Sequence, residues 1–323
     1  MSGLPYLEDP KAGEFLARAR ALGLRALAQV EGVRIGDQRS PRRGFSVEFA
    51  QHREYVPGDD PRHLDWRAYA RTERLTIKEY RQETNYTLQI ILDQTPSMAY
   101  PGKAASLDGI ATKAYQARLM ALVAGVVAQG QGDQTALWIS NGDPTRADDC
   151  LVPASAKSGA GRLLAAKLAE IRPSRGPETA DQKSDFARVL AKVVGRQLPR
   201  SLFLIISDFL EPFDPINGMM RQIRARGHDL LVLHTLHTDE ISLPFNGDFR
   251  FEDLESSAAV NTRPHQIRQR YTAIVAEWLE RLQAEIRGIG ADYALVHTDR
   301  EPQASVLALL AERLAKRKAA GGA

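Results

Sequence analysis

Cysteine is nearly absent. Cys150 stands alone in 323 residues, so no intrachain disulfide can form and no cysteine-rich zinc site can be assembled. A surplus of either charge is missing as well: 43 Lys and Arg face 40 Asp and Glu, a formal net charge of +3. A dedicated nucleic-acid binder carries a marked basic excess, and this balance argues against one. Long apolar runs are lacking too. The most apolar stretches, 202–206 and 230–233, are far shorter than a membrane span. The N-terminus places acidic Glu8 and Asp9 where a secretory leader would be basic and then apolar. The expectation is a cytoplasmic protein with no membrane span and no nucleic-acid partner. What is present is an ordinary globular composition, 43% apolar and 26% charged, in a length that fits one large domain or two smaller ones. That apolar share is enough to bury a core.

The chain changes texture near residue 84. Before it, residues 11–30 read as an alanine- and leucine-rich helix with Phe15, Leu16, Leu22, Leu24, Leu27 and Val30 on its apolar side. An arginine-rich connection follows, with Arg34, Arg39, Arg42 and Arg43 beside Glu31 and Asp37, which reads as a solvated or partner-facing loop. Residues 44–50 and 75–80 alternate apolar and polar as strands do, and Pro57-Gly58-Asp59-Asp60-Pro61 marks a turn. After residue 84, short apolar strands at 87–92, 135–140, 202–207, 229–235 and 292–297 alternate with helical patterns. The helices fall near 107–128, 161–171, 185–194, 216–226, 264–287 and 302–318. Such alternation with fully apolar strands predicts a doubly wound, mostly parallel α/β sheet covered on both faces. The domain reading is 1–83 for a small N-terminal helix and β element, 84–318 for the sheet domain, and 319–323 for a small-residue flexible tail. The stripe Ile267, Tyr271, Ile274, Trp278, Leu282 and Ile286 is read as core packing.

The chemistry concentrates at two strand ends. The first apolar strand runs into Asp93, followed at two-residue spacing by Thr95 and Ser97. The strand at 202–207 runs into Asp208, and Ser184 lies just before a helix. In an open doubly wound sheet the ligand crevice sits at the carboxyl edge, where strand order reverses. Asp93 and Asp208 face one crevice there if their strands are neighbours. Two carboxylates with several hydroxyls form a hard oxygen set suited to Mg²⁺, Mn²⁺ or Ca²⁺ and unsuited to zinc. Two carboxylates only neutralise a divalent ion, so the ion retains affinity for an anionic group supplied from outside.

These residues carry a resemblance. Asp93-Gln94-Thr95-Pro96-Ser97-Met98 resembles the metal-ion-dependent adhesion motif of von Willebrand factor A domains, with threonine at the first serine position. Ser184 and Asp208 stand where that fold carries its loop threonine and last aspartate. The stretch from Phe45 through Pro57-Gly58-Asp59-Asp60 to Asp65-Trp66-Arg67 and Arg71 is similar to the signature of domain-of-unknown-function family 58, as is residues 244–255. The resemblance implies a von Willebrand factor A-like, Rossmann-type domain behind an N-terminal element. It implies Asp93, Thr95, Ser97, Ser184 and Asp208 as ligands of Mg²⁺ (or Mn²⁺ or Ca²⁺), and a MoxR-type AAA+ ATPase or its client as partner.

The implied function is a non-catalytic, divalent-metal-dependent protein-interaction module. Two alternatives stay open. One is a metal-free scaffold binding through the surface from Asp59 to Arg71. Arg53, Asp59, Asp60, Arg62, Asp65, Trp66 and Arg71 make up the corresponding structural or partner-binding network, because interleaved opposite charges pair with one another. The other is a haloacid dehalogenase-like phosphohydrolase with Asp93 as nucleophile, although Thr95 stands where its general acid is needed. His234, His237 and His297 lack metal-ligand spacing and read as packing or loop residues.

Overall fold

The computed structural model describes residues 47–55, 64–72, 74–82, 87–102, 112–130, 132–140, 149–157, 159–171, 186–254 and 258–299. The helices expected at 11–30 and 302–318, the arginine-rich connection at 34–43 and the turn at 57–61 lie outside them. The described residues belong to two compact units that divide between Asn85 and Tyr86.

In the first unit, β1 (Val47–Glu54) pairs antiparallel with β2 (Thr76–Gln82), with a bulge between Phe49 and Gln51. Between them in sequence lies α1 (Trp66–Thr72). Asp65 starts it: its Oδ1 accepts the Ala68 amide at 3.1 Å, satisfying one of the free donors of the first turn. The Asp65 amide donates to Thr76 O at 2.9 Å, which ties the cap to β2.

The second unit is the sheet domain. Its strands are β3 (Thr87–Asp93), β4 (Gln134–Ser140), β5 (Cys150–Ser155), β6 (Ser201–Ser207), β7 (Asp229–Leu236) and β10 (Asp292–His297). Their order across the sheet is β10-β7-β6-β3-β4-β5, and β5 alone runs antiparallel. The doubly wound, mostly parallel α/β architecture is thus the one expected. From β3 the chain winds one way to β4 and β5, then returns past its start to β6, β7 and β10. The topological switch point therefore falls between β3, which ends at Asp93, and β6, which runs into Asp208.

Successive side chains on each strand feed opposite cores. Leu88, Ile90 and Leu92 pack with Leu202, Leu204 and Ile206 under α2 (Lys113–Gly130) and α3 (Ala160–Glu170). Ile91, Phe203, Ile205 and Val232 pack on the other face under α4 (Phe186–Gly195), α5 (Phe213–Ala225) and α7 (Pro264–Gly288). Burying each such side chain is worth roughly 1.5–3 kcal/mol, which is why the central strands are apolar on both faces. Buried Gln89, polar within β3, accepts the Trp138 indole N–H at 2.8 Å and so costs little.

Two elements depart from the sequence reading. The edge strand β5 was not expected, because Pro153 interrupts it; an edge strand tolerates proline. On α7 the stripe is core only at its C-terminal end. Leu282 and Ile286 are buried, but Ile267 and Ile274 are 42% and 56% exposed. The helix runs past the sheet at its N-terminal half. There Tyr271 turns its hydroxyl to Glu240 O, at 2.6 Å, on the short α6 (Thr238–Ser242). The segment at 244–255, expected as a late strand, holds β8 (Phe249–Glu252), which pairs with β9 (Ala259–Thr262). Among the described residues no helix is long and apolar enough to cross a membrane.

Candidate functional site

The carboxyl edge of β3 is built by its own loop. Beyond the strand the chain makes one 3-10 turn, Pro96–Ala99, with Thr95 as its cap. Pro96 is the first residue of that turn, where a missing N–H and a fixed φ are assets. The Thr95 amide donates to Asp93 Oδ1 at 3.0 Å, a side-chain turn that fixes the carboxylate. The other oxygen, Oδ2, accepts the Ser207 hydroxyl at 2.6 Å from neighbouring β6. The Thr95 and Ser97 hydroxyls lie 3.1 Å apart and share a hydrogen bond. All of these groups are buried.

Asp93 sits there at an electrostatic cost. Burial, and next the negative charge of Asp208, push its carboxyl well above the ordinary value of 3.8. The folded protein therefore holds the Asp93 proton more tightly than the unfolded chain does. This contribution to stability is complete below that ordinary value and is lost as pH rises through the folded value. Asp93→Asn keeps an acceptor for the Thr95 amide without the charge. It is expected to raise stability at neutral pH by about 1 kcal/mol, a rise in melting midpoint of roughly 2–4 °C. The gain should shrink toward low pH in calorimetric scans. A lowered midpoint at neutral pH would mean that the carboxylate charge is stabilised by a group other than these.

Asp208 is held differently. Its Oδ2 accepts a hydrogen bond from the Lys113 ammonium at 2.8 Å, and the same ammonium donates to Glu240 Oε1 at 2.6 Å. Lys113 is fully buried although it is the first residue of α2. A cation there opposes the positive end of the helix dipole, so local acids must hold it. Burial works to lower the Lys113 pKa, but Asp208 and Glu240 outweigh it and keep the ammonium above its ordinary 10.5.

The two acids are themselves anchored. Glu240 uses its second oxygen, Oε2, to accept the His237 amide at 2.8 Å, while His237 Nδ1 accepts the Asp239 amide, a reciprocal cap on α6. The Asp208 carbonyl can only accept, so His234 donates to it through Nε2 at 3.0 Å. His234 Nδ1 then accepts from the Tyr293 hydroxyl at 2.8 Å. Burial lowers the His234 pKa to about 4, which keeps this neutral tautomer at physiological pH. His234 and His237, expected as packing or loop residues, are thus the supports of the two acids.

The five-ligand metal set does not fit this arrangement. Ser184 lies outside the described residues. Of the other four, Asp93 has both oxygens in hydrogen bonds, Thr95 and Ser97 bond each other, and Asp208 carries a lysine where an ion was expected. The expectation that Asp93 and Asp208 lie on neighbouring strands at the switch point holds. The expectation that Asp208 is left open for a cation is corrected, because Lys113 already supplies the positive charge. Lys113, Glu240 and Ser207 were missed by the sequence reading. Their one legible signal was a lone lysine entering an otherwise alanine-rich apolar helix.

Just beyond Asp208 the backbone is strained. Phe209 is buried with φ at 51°, a left-handed conformation costly for a bulky residue. Its ring is wedged edge-on against Phe186, Phe213 and His234, with centroids 5.4–6.2 Å away, which holds the strain in place. The next residue, Leu210, is 52% exposed.

Of the second network, Asp59, Asp60 and Arg62 lie outside the described residues, and Arg53 is described only as a backbone position in β1 opposite Ile77. Asp65 is buried as the α1 cap. Trp66 is 61% exposed and edge-on to Tyr69, and Arg71 is exposed in the last turn of α1, where its charge suits the dipole.

Among known proteins, the chain is 27% identical over 310 residues to uncharacterized proteins of Mycobacterium bovis and Mycobacterium tuberculosis, covering 95% of this chain and 91% of theirs. Its fold is similar to BatB from Bacteroides thetaiotaomicron, with a TM-score of 0.43 at 15% identity over 71% of this chain and 98% of that one. An aerotolerance-related membrane protein from Bacteroides fragilis gives 0.42 at 15% identity, over 69% of this chain and 98% of that one. A von Willebrand factor type A protein from Catenulispora acidiphila gives 0.41 at 10% identity, over 74% and 45%. The cytoplasmic location expected from the sequence is withdrawn, since a similar structure is by its own name that of a membrane protein. Residues 51–280, most of the chain, match one family throughout, and the chain belongs to it: the proteins of unknown function DUF58.

Proposed function

We propose that this chain is a non-catalytic protein-interaction module whose partner seats on the carboxyl edge of the sheet, over Leu210. The observation that carries the reading is the strained turn at Phe209. It spends backbone energy to present an apolar side chain to solvent at the switch point, and strain of this kind persists where a site uses it. The partner class implied by the family resemblance is a MoxR-type AAA+ ATPase or its client. The ion pair between Lys113 and Asp208 favours an ion-independent form of this docking over the magnesium-dependent one that the motif implied.

A phosphohydrolase reading has less support. Asp93 is buried with both carboxylate oxygens engaged, and Thr95 uses its hydroxyl on Ser97, so neither a free nucleophile nor a general acid is presented.

The test is a pull-down of the MoxR-type ATPase from the same genome with the full chain, in magnesium and in EDTA. Leu210→Asp, an exposed change that leaves the core intact, should reduce capture at least tenfold, and EDTA should leave wild-type capture unchanged. Undiminished capture by Leu210→Asp overturns the seating on this edge. Loss in EDTA restores the ion-dependent form.

A further inference from the structure

The structure assigns to Lys113 the role of a built-in cation: its ammonium occupies the Asp208 side of the switch point and replaces the divalent ion that the adhesion-type motif would otherwise recruit there. The geometry is that of a tethered ligand. The ammonium is 2.8 Å from Asp208 and 2.6 Å from Glu240, so one fixed charge bridges two acids, one just past β6 and one on α6. Its backbone is tied down as well, because the Lys113 amide donates to Tyr100 O, just past the 3-10 turn that follows Asp93. The charge therefore arrives with the fold and needs no ion from solution.

Charge arithmetic supports the assignment. Asp208 is almost fully buried, and a buried carboxylate requires a partner cation or a proton. A divalent ion added beside the lysine would meet a like charge at the same acid. Conversely, removing the lysine charge recreates the electron-rich, cation-free crevice that an adhesion-type site presents. The inference concerns the same edge as the docking proposal but does not rest on it, since its readout is ion binding by the isolated protein.

The experiment follows the melting midpoint of the full chain in EDTA and in rising concentrations of MnCl₂. The wild-type midpoint should not respond to Mn²⁺. Lys113→Met should melt lower in EDTA and be raised saturably by Mn²⁺, and the double variant Lys113→Met with Asp208→Asn should lose that response and recover part of the midpoint. The wild-type arm stands without any variant: a saturable rise with Mn²⁺ that Asp93→Ala abolishes would overturn the assignment. A Lys113→Met protein that melts like wild type and ignores Mn²⁺ would overturn it too, by showing that the two acids need no cation.

Discussion

Lys113→Met is expected to be the most destabilising single change at the switch point, at about 3–5 kcal/mol. Methionine matches the length of the stem and fills the same volume, so the loss is electrostatic and not a cavity. It leaves Asp208 and Glu240 facing each other, with 2% and 20% of their side chains exposed and no cation between them. Breaking one side of a buried ion pair costs more than the pair itself contributes, because the abandoned charge keeps its desolvation penalty. For a domain of this size the melting midpoint should fall by roughly 6–20 °C. The sign of the pH dependence checks the mechanism. A lysine held above its ordinary 10.5 stabilises the fold at every pH below that value, and the contribution fades only as pH rises through the raised folded value. The gap between wild type and variant should thus be constant across the neutral range and close under strongly alkaline conditions. Glu240→Gln in both backgrounds supplies a double-mutant cycle. A coupling near zero would show that Lys113 and Glu240 do not sense each other.

What was legible in the sequence follows from the range of the physics involved. Leu202 to Ile206 is apolar without a break and Leu88 to Leu92 is broken only by Gln89, as a strand buried on both faces requires. Strand ends are equally local, so Asp93 and Asp208 could be placed on one edge, while the neighbouring of β3 and β6 stayed a condition that the strand order then met. The occupant of the crevice was not local. Lys113 reaches Asp208 across 95 positions and Glu240 across 127, and no periodicity marks such a pairing. The same limit hid Ser207, whose hydroxyl finds Asp93 across 114 positions. On α7 the reading failed for a different reason: a 3.6-residue stripe reports that one side of a helix is apolar, not how far along the helix a partner extends. Ile267 and Ile274 belong to the stripe and not to the core.

Gly102→Ala carries the other large expected effect, and it tests whether the motif loop and the acid cluster are mechanically one unit. Gly102 has φ at 75°, where a Cβ costs roughly 1–2 kcal/mol on its own. The added methyl would also lie 2.1 Å from His237 Nε2, well inside contact distance. His237 has little freedom to retreat. Its Nδ1 caps α6, and its ring stands edge-on to Tyr100, with centroids 5.6 Å apart. Moving it breaks the reciprocal cap with Glu240, and Glu240 is the second acid on Lys113. Strain and overpacking together should cost about 2–4 kcal/mol, a fall of roughly 5–15 °C in melting midpoint. Gly132→Ala separates the two causes. Its φ is 86°, but the space around it is open, so it should show the backbone cost alone. If Gly102→Ala costs no more than Gly132→Ala, then His237 yields freely and the loop is independent of the cluster. If the steric account holds, adding His237→Ala to Gly102→Ala should recover part of the lost midpoint even though it deletes a helix cap. A recovering deletion of that kind has no explanation in capping or in backbone strain, and only contact between residue 102 and the imidazole produces it.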